Sequence, residues 1–368
     1  MLKGDIADAG RLVGIRLTDY YTEEFPLIFA LETLRIVPDS AWTFTMAKEA
    51  AINMLVVDAT LRHYGYGLLD GHFGNITFKH NRPVFLDVGS LVKGQSGFIS
   101  ELLNYALMPW LSRKIKPRNW RERLAFLKQK LLKKLLKIIM RQKTVKIEYV
   151  DYLLQKCPQP KTAWQDYHRG CTAETAPTGR HARIVDLVKQ FSPEARTCVD
   201  LAGNAGYIAH LLAQTGQFTA IINLDYDENA IESGREKFRD ERIEFYCADT
   251  MLGAGIADAV KSDIVLGLAL THHLLLTQNY NIHAVLSIIA RYTNRYAYLE
   301  FCPLGMYSGD YPDRLPPLPA WYNDDWFAQN FRKTFKILHR EVVGRATVAG
   351  QERDHRILYI GQKLGDEQ

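Results

Sequence analysis

The feature that most constrains this chain is the alternation of strand and helix patterns that begins near Ala182. Short apolar runs at 197–201, 220–224, 243–247, 264–268 and 297–301 are separated by stretches with helical spacing, clearest over 182–191 and 206–215. Strands separated by helices pair in parallel through right-handed crossovers. The expected fold is therefore α/β, a doubly wound Rossmann-like sheet with helices on both faces. A late hairpin, 334–341 with 355–362, is expected to close one edge.

That region needs only about half of the 368 residues, so a second domain is expected before it. Helical spacing over 47–64 ends at Gly65 and Gly67, and a hairpin of 75–78 with 84–87 is predicted to turn at His80-Asn81-Arg82-Pro83. Between Arg113 and Lys146 fourteen Lys and Arg stand against one acid, Glu122. That local balance of +13 lies in a chain whose total is +5, which leaves the remainder at −8. Leu127, Leu131, Leu132, Leu135, Leu136, Ile138 and Ile139 thread through these cations at helical spacing and predict an amphipathic helix. Such a helix can pack on a domain, lie on an anionic membrane surface or grip nucleic acid. Nucleic acid ranks last, because Trp120 and Phe126 are the only aromatics available for stacking. Cys157-Pro158-Gln159-Pro160 breaks the helix. The expected organisation is 1–112, a smaller and mainly helical domain; 113–160, basic helix and linker; and 161–368, the doubly wound domain.

The five cysteines are scattered, with neither a C-x-x-C pair nor a histidine at ligand spacing, so reduced thiols and no metal site are expected. The opening Met-Leu-Lys-Gly-Asp-Ile lacks a long apolar run, and no stretch of about 18 uncharged apolar residues occurs. A cytoplasmic protein is expected.

A ligand of a doubly wound sheet sits outside the carboxyl ends of the strands, where the first loop must let the backbone approach it. That loop is Val199-Asp200-Leu201-Ala202-Gly203-Asn204-Ala205-Gly206-Tyr207. A second acid, Asp225, ends the next strand, with Asp227 placed to cap the helix from Glu228, and Cys247-Ala248-Asp249-Thr250 follows the third strand. Each acid alone is also an ordinary strand-end turn residue. As an ordered set they resemble the cofactor site of class I S-adenosylmethionine-dependent methyltransferases. In that family an acid ends the first strand before small residues at alternate positions; Asp200 and Gly206 match, and Ala202 replaces a frequent glycine. The resemblance implies S-adenosylmethionine held by Asp200, Ala202, Gly203, Asn204, Gly206, Asp225, Asp249, Thr250 and Leu268. Asp225 would take the ribose hydroxyls and Asp249 the adenine amino group.

The fourth strand leads into Gly267-Leu268-Ala269-Leu270-Thr271-His272-His273-Leu274, where such enzymes bring donor and acceptor together. His272 or His273 is the candidate base for a hydroxyl acceptor, or one of them packs under the loop. Glu300, at the end of the fifth strand, is a further candidate. Tyr307, Tyr311, Trp321, Tyr322 and Trp326 are placed either to wall an acceptor pocket or to cover the sheet. Trp164-Gln165-Asp166-Tyr167 is placed to act as a lid. The acceptor expected is a small molecule or a glycan-type molecule, methylated at oxygen.

In the first half, Leu69-Asp70-Gly71-His72-Phe73-Gly74-Asn75-Ile76 and Pro83-Val84-Phe85-Leu86-Asp87-Val88-Gly89-Ser90 resemble the catalytic core of aminoglycoside-phosphotransferase-like kinases. The resemblance assigns acceptor orientation to Asp70 and magnesium to Asn75 and Asp87. The chain departs from that pattern in lacking a glycine-rich loop and a Val-Ala-x-Lys strand before Asp70, and in carrying Leu68 where a histidine is usual. A kinase-like remnant fused to a methyltransferase is expected, an arrangement resembling bacterial nodulation-type methyltransferases. A working phosphotransferase and a non-catalytic scaffold with a methyltransferase fold are the alternatives.

Overall fold

The computed structural model describes residues 10–20, 22–24, 28–94, 97–111, 120–142, 145–157, 170–177, 179–251, 254–307 and 315–365. The chain divides into two compact units, Met1–Lys161 and Thr162–Gln368.

In the first unit, β1 (Ile15–Leu17) pairs with β2 (Phe29–Leu31). Helix α1 (Phe44–His63) starts where the Thr43 side chain accepts a hydrogen bond from the Met46 N–H at 3.1 Å, satisfying one orphan donor of its first turn. Met46, Ala50, Met54, Val57 and Leu61 make its buried stripe. Near its end the buried Asp58 pairs with Arg62 at 2.6 Å and accepts the Leu68 N–H at 3.0 Å, which ties α1 to β3 (Tyr66–Leu68). Strands β4 (Ile76–Lys79) and β5 (Arg82–Phe85) form the predicted hairpin. Its turn is His80-Asn81, both with positive φ, as a tight two-residue hairpin requires. Arg82 and Pro83 already belong to β5, so the turn is shorter than the sequence suggested.

β6 (Leu91–Lys93) pairs with β3, and α2 (Phe98–Glu101) runs through a wider π turn at Leu102–Leu107 into α3 (Met108–Leu111). Trp42, Phe73, Phe78 and Trp110 cluster beneath these elements, with Trp42 and Phe78 edge to face at 5.1 Å. The basic segment forms α4 (Trp120–Met140), which packs against α5 (Ile147–Gln155). Leu132, Leu136 and Met140, spaced by four, are buried. Leu127, Leu131 and Ile138 form a second stripe that is 59%, 57% and 61% exposed, so only part of the apolar pattern is spent on packing. Among the described residues no helix is long and apolar enough to cross a membrane.

The second unit begins with α6 (Gly179–Phe191), after which strand and helix alternate: β7 (Thr197–Leu201), α7 (Tyr207–Gln214), β8 (Ala220–Asp225), α8 (Glu228–Lys237), β9 (Ile243–Cys247), α9 (Ala254–Val260), β10 (Ser262–Gly267), α10 (Ile282–Arg291) and β11 (Thr293–Phe301). Then α11 (Asp324–Phe331) precedes the hairpin of β12 (Phe335–Val348) and β13 (Gln351–Lys363). The strands form one sheet in the order β12-β13-β11-β10-β7-β8-β9. All pairings from β11 to β9 are parallel, whereas β13 runs antiparallel beside β11. This is the doubly wound α/β architecture expected. The late hairpin closes the edge with its second strand inserted against β11, and both of its strands are longer than the alternation showed.

Apolar residues of β7, β8, β10 and β11 point into a core completed by Ile184, Leu187 and Val188 of α6 and Ile208 and Leu212 of α7. Helices α9, α10 and α11 form a second packed group. Burial of both faces explains why the parallel strands read as continuous apolar runs.

Candidate functional site

Strand order reverses between β7 and β10: the chain continues from β7 to β8 on one side, then returns to place β10 on the other. At such a switch point the loops from adjacent strand ends part and leave a crevice. Here the crevice is a cleft of about 680 Å³.

The loop after β7 supplies its floor. Ala202, Asn204 and Gly206 all have positive φ (55°, 51° and 78°), so backbone hands alternate along the turn. For the two residues with a Cβ this is a costly conformation, of order 1–2 kcal/mol each, maintained only because the surroundings impose it. Those surroundings are specific. The Asn204 N–H donates to Asp225 Oδ2 at 2.8 Å, and Asn223 Nδ2 donates to the Asn204 carbonyl at 2.8 Å. Gly203 can be nothing larger: a Cβ there would lie 2.2 Å from Asn223 Oδ1 and 2.5 Å from Asp200 Oδ2. Gly206, the residue before α7, faces away from the cleft, where a Cβ would meet the Phe245 ring at 2.6 Å.

The three carboxylates singled out in the sequence all line this one cleft, together with Ala202, Gly203, Asn204, Thr250, Leu268, His272 and His273. Gly206 alone of the predicted set does not; it shapes the loop. Asp200 is 2% exposed, and its carboxylate accepts no hydrogen bond among the described residues. Burial, and then the neighbouring Asp225 charge, push its pKa up to about 8. Burial also pushes Asp225 up to about 6, although its oxygens accept the N–H groups of Asp227 and Asn204, each at 2.8 Å. Asp227 caps α8 as expected, accepting from Asn229 and Ala230 at 3.1 Å. Asp249, beyond β9, accepts the Met251 N–H at 2.7 Å.

The opposite half of the cleft is basic and aromatic. The His272 and His273 rings lie 4.3 Å apart, and His272 Nδ1 is buried without a partner among the described residues. Burial, then His273 and Arg356, lower the His272 pKa to about 3; burial and Arg356 lower His273 as well. Both rings are therefore neutral at pH 7.

Glu300 has a different role from the one entertained for it. It is fully buried and held bidentately by Arg180 at 2.7 and 2.6 Å, by Arg356 at 3.3 Å and by the Ala269 N–H at 2.8 Å. Burial works to raise its pKa, but the Arg180 charge and hydrogen bonds, with Arg356 and Ala269, outweigh it and hold the carboxyl below its ordinary value. It is the anchor of a charge network and unsuited to accept a proton.

Of the four of these aromatics that are described, only Tyr307 lines the cleft, with its ring edge-on to His355 at 5.6 Å. Trp321, Tyr322 and Trp326 pack edge-on or tilted against one another, and the Tyr322 hydroxyl donates to the Cys302 carbonyl at 3.1 Å, so they cover the sheet. Tyr311 and the segment 164–167 lie outside the described residues. Sequence reasoning missed Arg180, His181, His355 and Arg356, all of which line the cleft. The register that sets Ile357 opposite Phe301 brings the neighbouring His355 and Arg356 to the site, and nothing local in the sequence states that register.

In the first unit, Asn75 and Asp87 flank the β4–β5 hairpin and come to the same end of it, where Leu86 N–H donates to the Asn75 carbonyl at 2.8 Å. The Asp87 carboxylate accepts the Gly89 N–H at 3.0 Å and the Ser90 hydroxyl at 2.6 Å. Asp70 follows β3, and the next residue, Gly71, donates its N–H to Glu101. A separate cavity of about 410 Å³ in this unit is lined by Arg11, Lys48, Asn53 and Arg82 among others, and by none of Asp70, Asn75 or Asp87.

No family model matches the chain, and no curated protein does. Solved structures are similar to about half of it. The N-methyltransferase NodS from Bradyrhizobium japonicum WM9 is 12% identical over 50% of this chain and 95% of its own, with a TM-score of 0.37. An S-adenosylmethionine-dependent methyltransferase from Clostridium acetobutylicum ATCC 824 is 11% identical over 55% and 96%, with a TM-score of 0.41. Magnesium protoporphyrin IX methyltransferase from Synechocystis PCC 6803, with bound S-adenosylhomocysteine, is 17% identical over 50% and 84%, with a TM-score of 0.35.

Proposed function

We propose that the second unit binds S-adenosylmethionine in the cleft at the β7/β10 switch point and transfers its methyl group to a small-molecule or glycan-type oxygen acceptor. The observation that carries this reading is the buried Asp200 carboxylate, which accepts no hydrogen bond among the described residues, beside Asp225. Two acids whose pKa values are both raised form a site short of positive charge, and burying them is costly until a cation arrives. S-adenosylmethionine supplies a sulfonium-borne methyl group and an ammonium on one small molecule. Asp200 would hold the cationic end, Asp225 the ribose hydroxyls and Asp249 the adenine amino group. The strained 202–206 loop brings backbone close to the ligand, and Leu268 and Thr250 exclude water around it.

In-line methyl displacement gains most of its rate from alignment in a dry pocket. A base is needed only for an acceptor that must shed a proton. We assign that task to His273, because a base as weak as His272, with its pKa near 3, draws little proton from a hydroxyl. His272 then serves as a neutral hydrogen-bonding wall. In the first unit the Asp87 carboxylate is already engaged by its own turn, which favours a structural role over phosphoryl transfer.

Calorimetry on the full chain separates the readings. Saturable binding of S-adenosylhomocysteine with no binding of magnesium-ATP supports methyl transfer. Binding of magnesium-ATP alone would transfer the chemistry to the first unit, and binding of neither would leave a scaffold.

A further inference from the structure

The cleft is polarised along the sheet. Asp249 follows β9, Asp225 ends β8 and Asp200 lies near the end of β7; beyond the switch point come His272 and His273 after β10, Glu300 on β11 and Arg356 on β13. The acids are matched by a cationic donor. In the basic half, among the described residues, Arg180 and Arg356 share one carboxylate, Glu300, and burial lowers the pKa values of His272, His273 and His355.

Glu300 is committed to Arg180, whose Nε and Nη2 take one carboxylate oxygen each. Arg356 reaches Glu300 and the Cys302 sulfur through Nη1 alone, at 3.3 and 3.6 Å. Among the described residues its Nε and Nη2 make no hydrogen bond, yet the residue lines the cleft. His272 Nδ1 and His355 Nδ1, both buried beside it, have no partner among the described residues either. A guanidinium whose Nε and Nη2 have no partner among the described residues, on a cleft wall it shares with His272 and His355, is a site for an oxyanion.

We infer that the acceptor is an anion, a small molecule bearing a carboxylate or phosphate that docks on the open edge of Arg356, between His272 and His355. The name acceptor rests on the methyl-transfer reading; the anion site does not. Arg356 is then a positioning residue, holding the anion so that the rest of the acceptor faces His273. An anion at this point also offsets the Arg356 charge that lowers both His272 and His273, so acceptor docking strengthens the base that serves it.

The test titrates benzoate, phenyl phosphate and neutral benzamide into the full chain, with and without saturating S-adenosylhomocysteine, by calorimetry. The expected result is saturable binding of benzoate or phenyl phosphate at least about tenfold tighter than benzamide, since charge-assisted contacts are the stronger kind. Whichever anion binds more tightly identifies the group. Arg356→Gln should abolish that preference, Arg356→Lys should restore part of it, and both variants should bind S-adenosylhomocysteine as the wild type does. Benzamide binding as well as both anions, or Arg356→Gln keeping the preference, overturns the proposal. If S-adenosylhomocysteine does not bind but the anion does, the methyl-transfer reading fails and the anion site stands.

Discussion

The Asp200–Asp225–Asp249 set and the Asp70–Asn75–Asp87 set were both legible as motifs, yet the structure treats them differently. In the second unit, acids 25 and 24 residues apart in sequence converge on one 680 Å³ cleft, and the Asp200 carboxylate is left without a hydrogen-bond partner among the described residues. In the first unit Asn75 and Asp87 flank one short hairpin while Asp70 follows β3, and the Asp87 carboxylate is consumed by the turn that follows it. Local spacing can be kept by a turn for its own stability. Convergence of distant acids that burial leaves uncompensated has no such local explanation.

The sharpest way to test that contrast is at the network supporting the cleft. Glu300→Ala removes the fully buried counterion shared by the part-buried Arg180 and Arg356, and should cost about 3–5 kcal/mol in urea unfolding of the second unit. A loss within the usual surface range would mean the two arginines are adequately solvated by the cleft. Asp225→Ala should weaken S-adenosylhomocysteine binding by roughly 1.5–3 kcal/mol, the scale of hydrogen bonds to a charged group. Unchanged affinity in calorimetry would remove the ribose assignment.

Asp200 gives a pH signature. Its folded pKa, about 8, lies above its ordinary value of 3.8, so between those values the native state binds more protons than the unfolded chain. Stability without ligand should therefore be greatest below about pH 4 as far as this group is concerned, and fall as pH rises towards 8. Asp200→Asn should flatten that slope and raise Tm at pH 8 by roughly 2–4 °C, on the order of 1 kcal/mol for a domain of this size. A Tm–pH profile unaltered by the substitution would show that Asp200 is not a buried uncompensated acid.

The smallest effect belongs to the first unit. Asp87→Ala should cost about 1 kcal/mol, the worth of a local cap, and leave S-adenosylhomocysteine affinity untouched. Magnesium-ATP binding that disappears in this variant would erase the contrast between the two regions.

How much of this was legible depends on the range of the interaction concerned. The strand and helix alternation, the Asp227 cap and the β4–β5 hairpin follow from neighbours a few residues apart. So does the strand-end position of Asp200 and Asp225, because a parallel strand announces itself by its apolar run and its end by the acid and turn residues that close it. Glu300 shows the limit: as a strand-end acid it resembled a base, and only its two arginine partners, 120 and 56 residues away, make it an anchor.

By itself the sequence determined the class of fold and the residues that a ligand at the strand ends would meet, because hydrophobic periodicity and turn chemistry are local and leave their mark in every segment. Tertiary structure alone decided the other half of the cleft. Which strand lies beside β11, and in what register, is set by packing between elements more than fifty residues apart, and that choice brought Arg356 and His355 against His272.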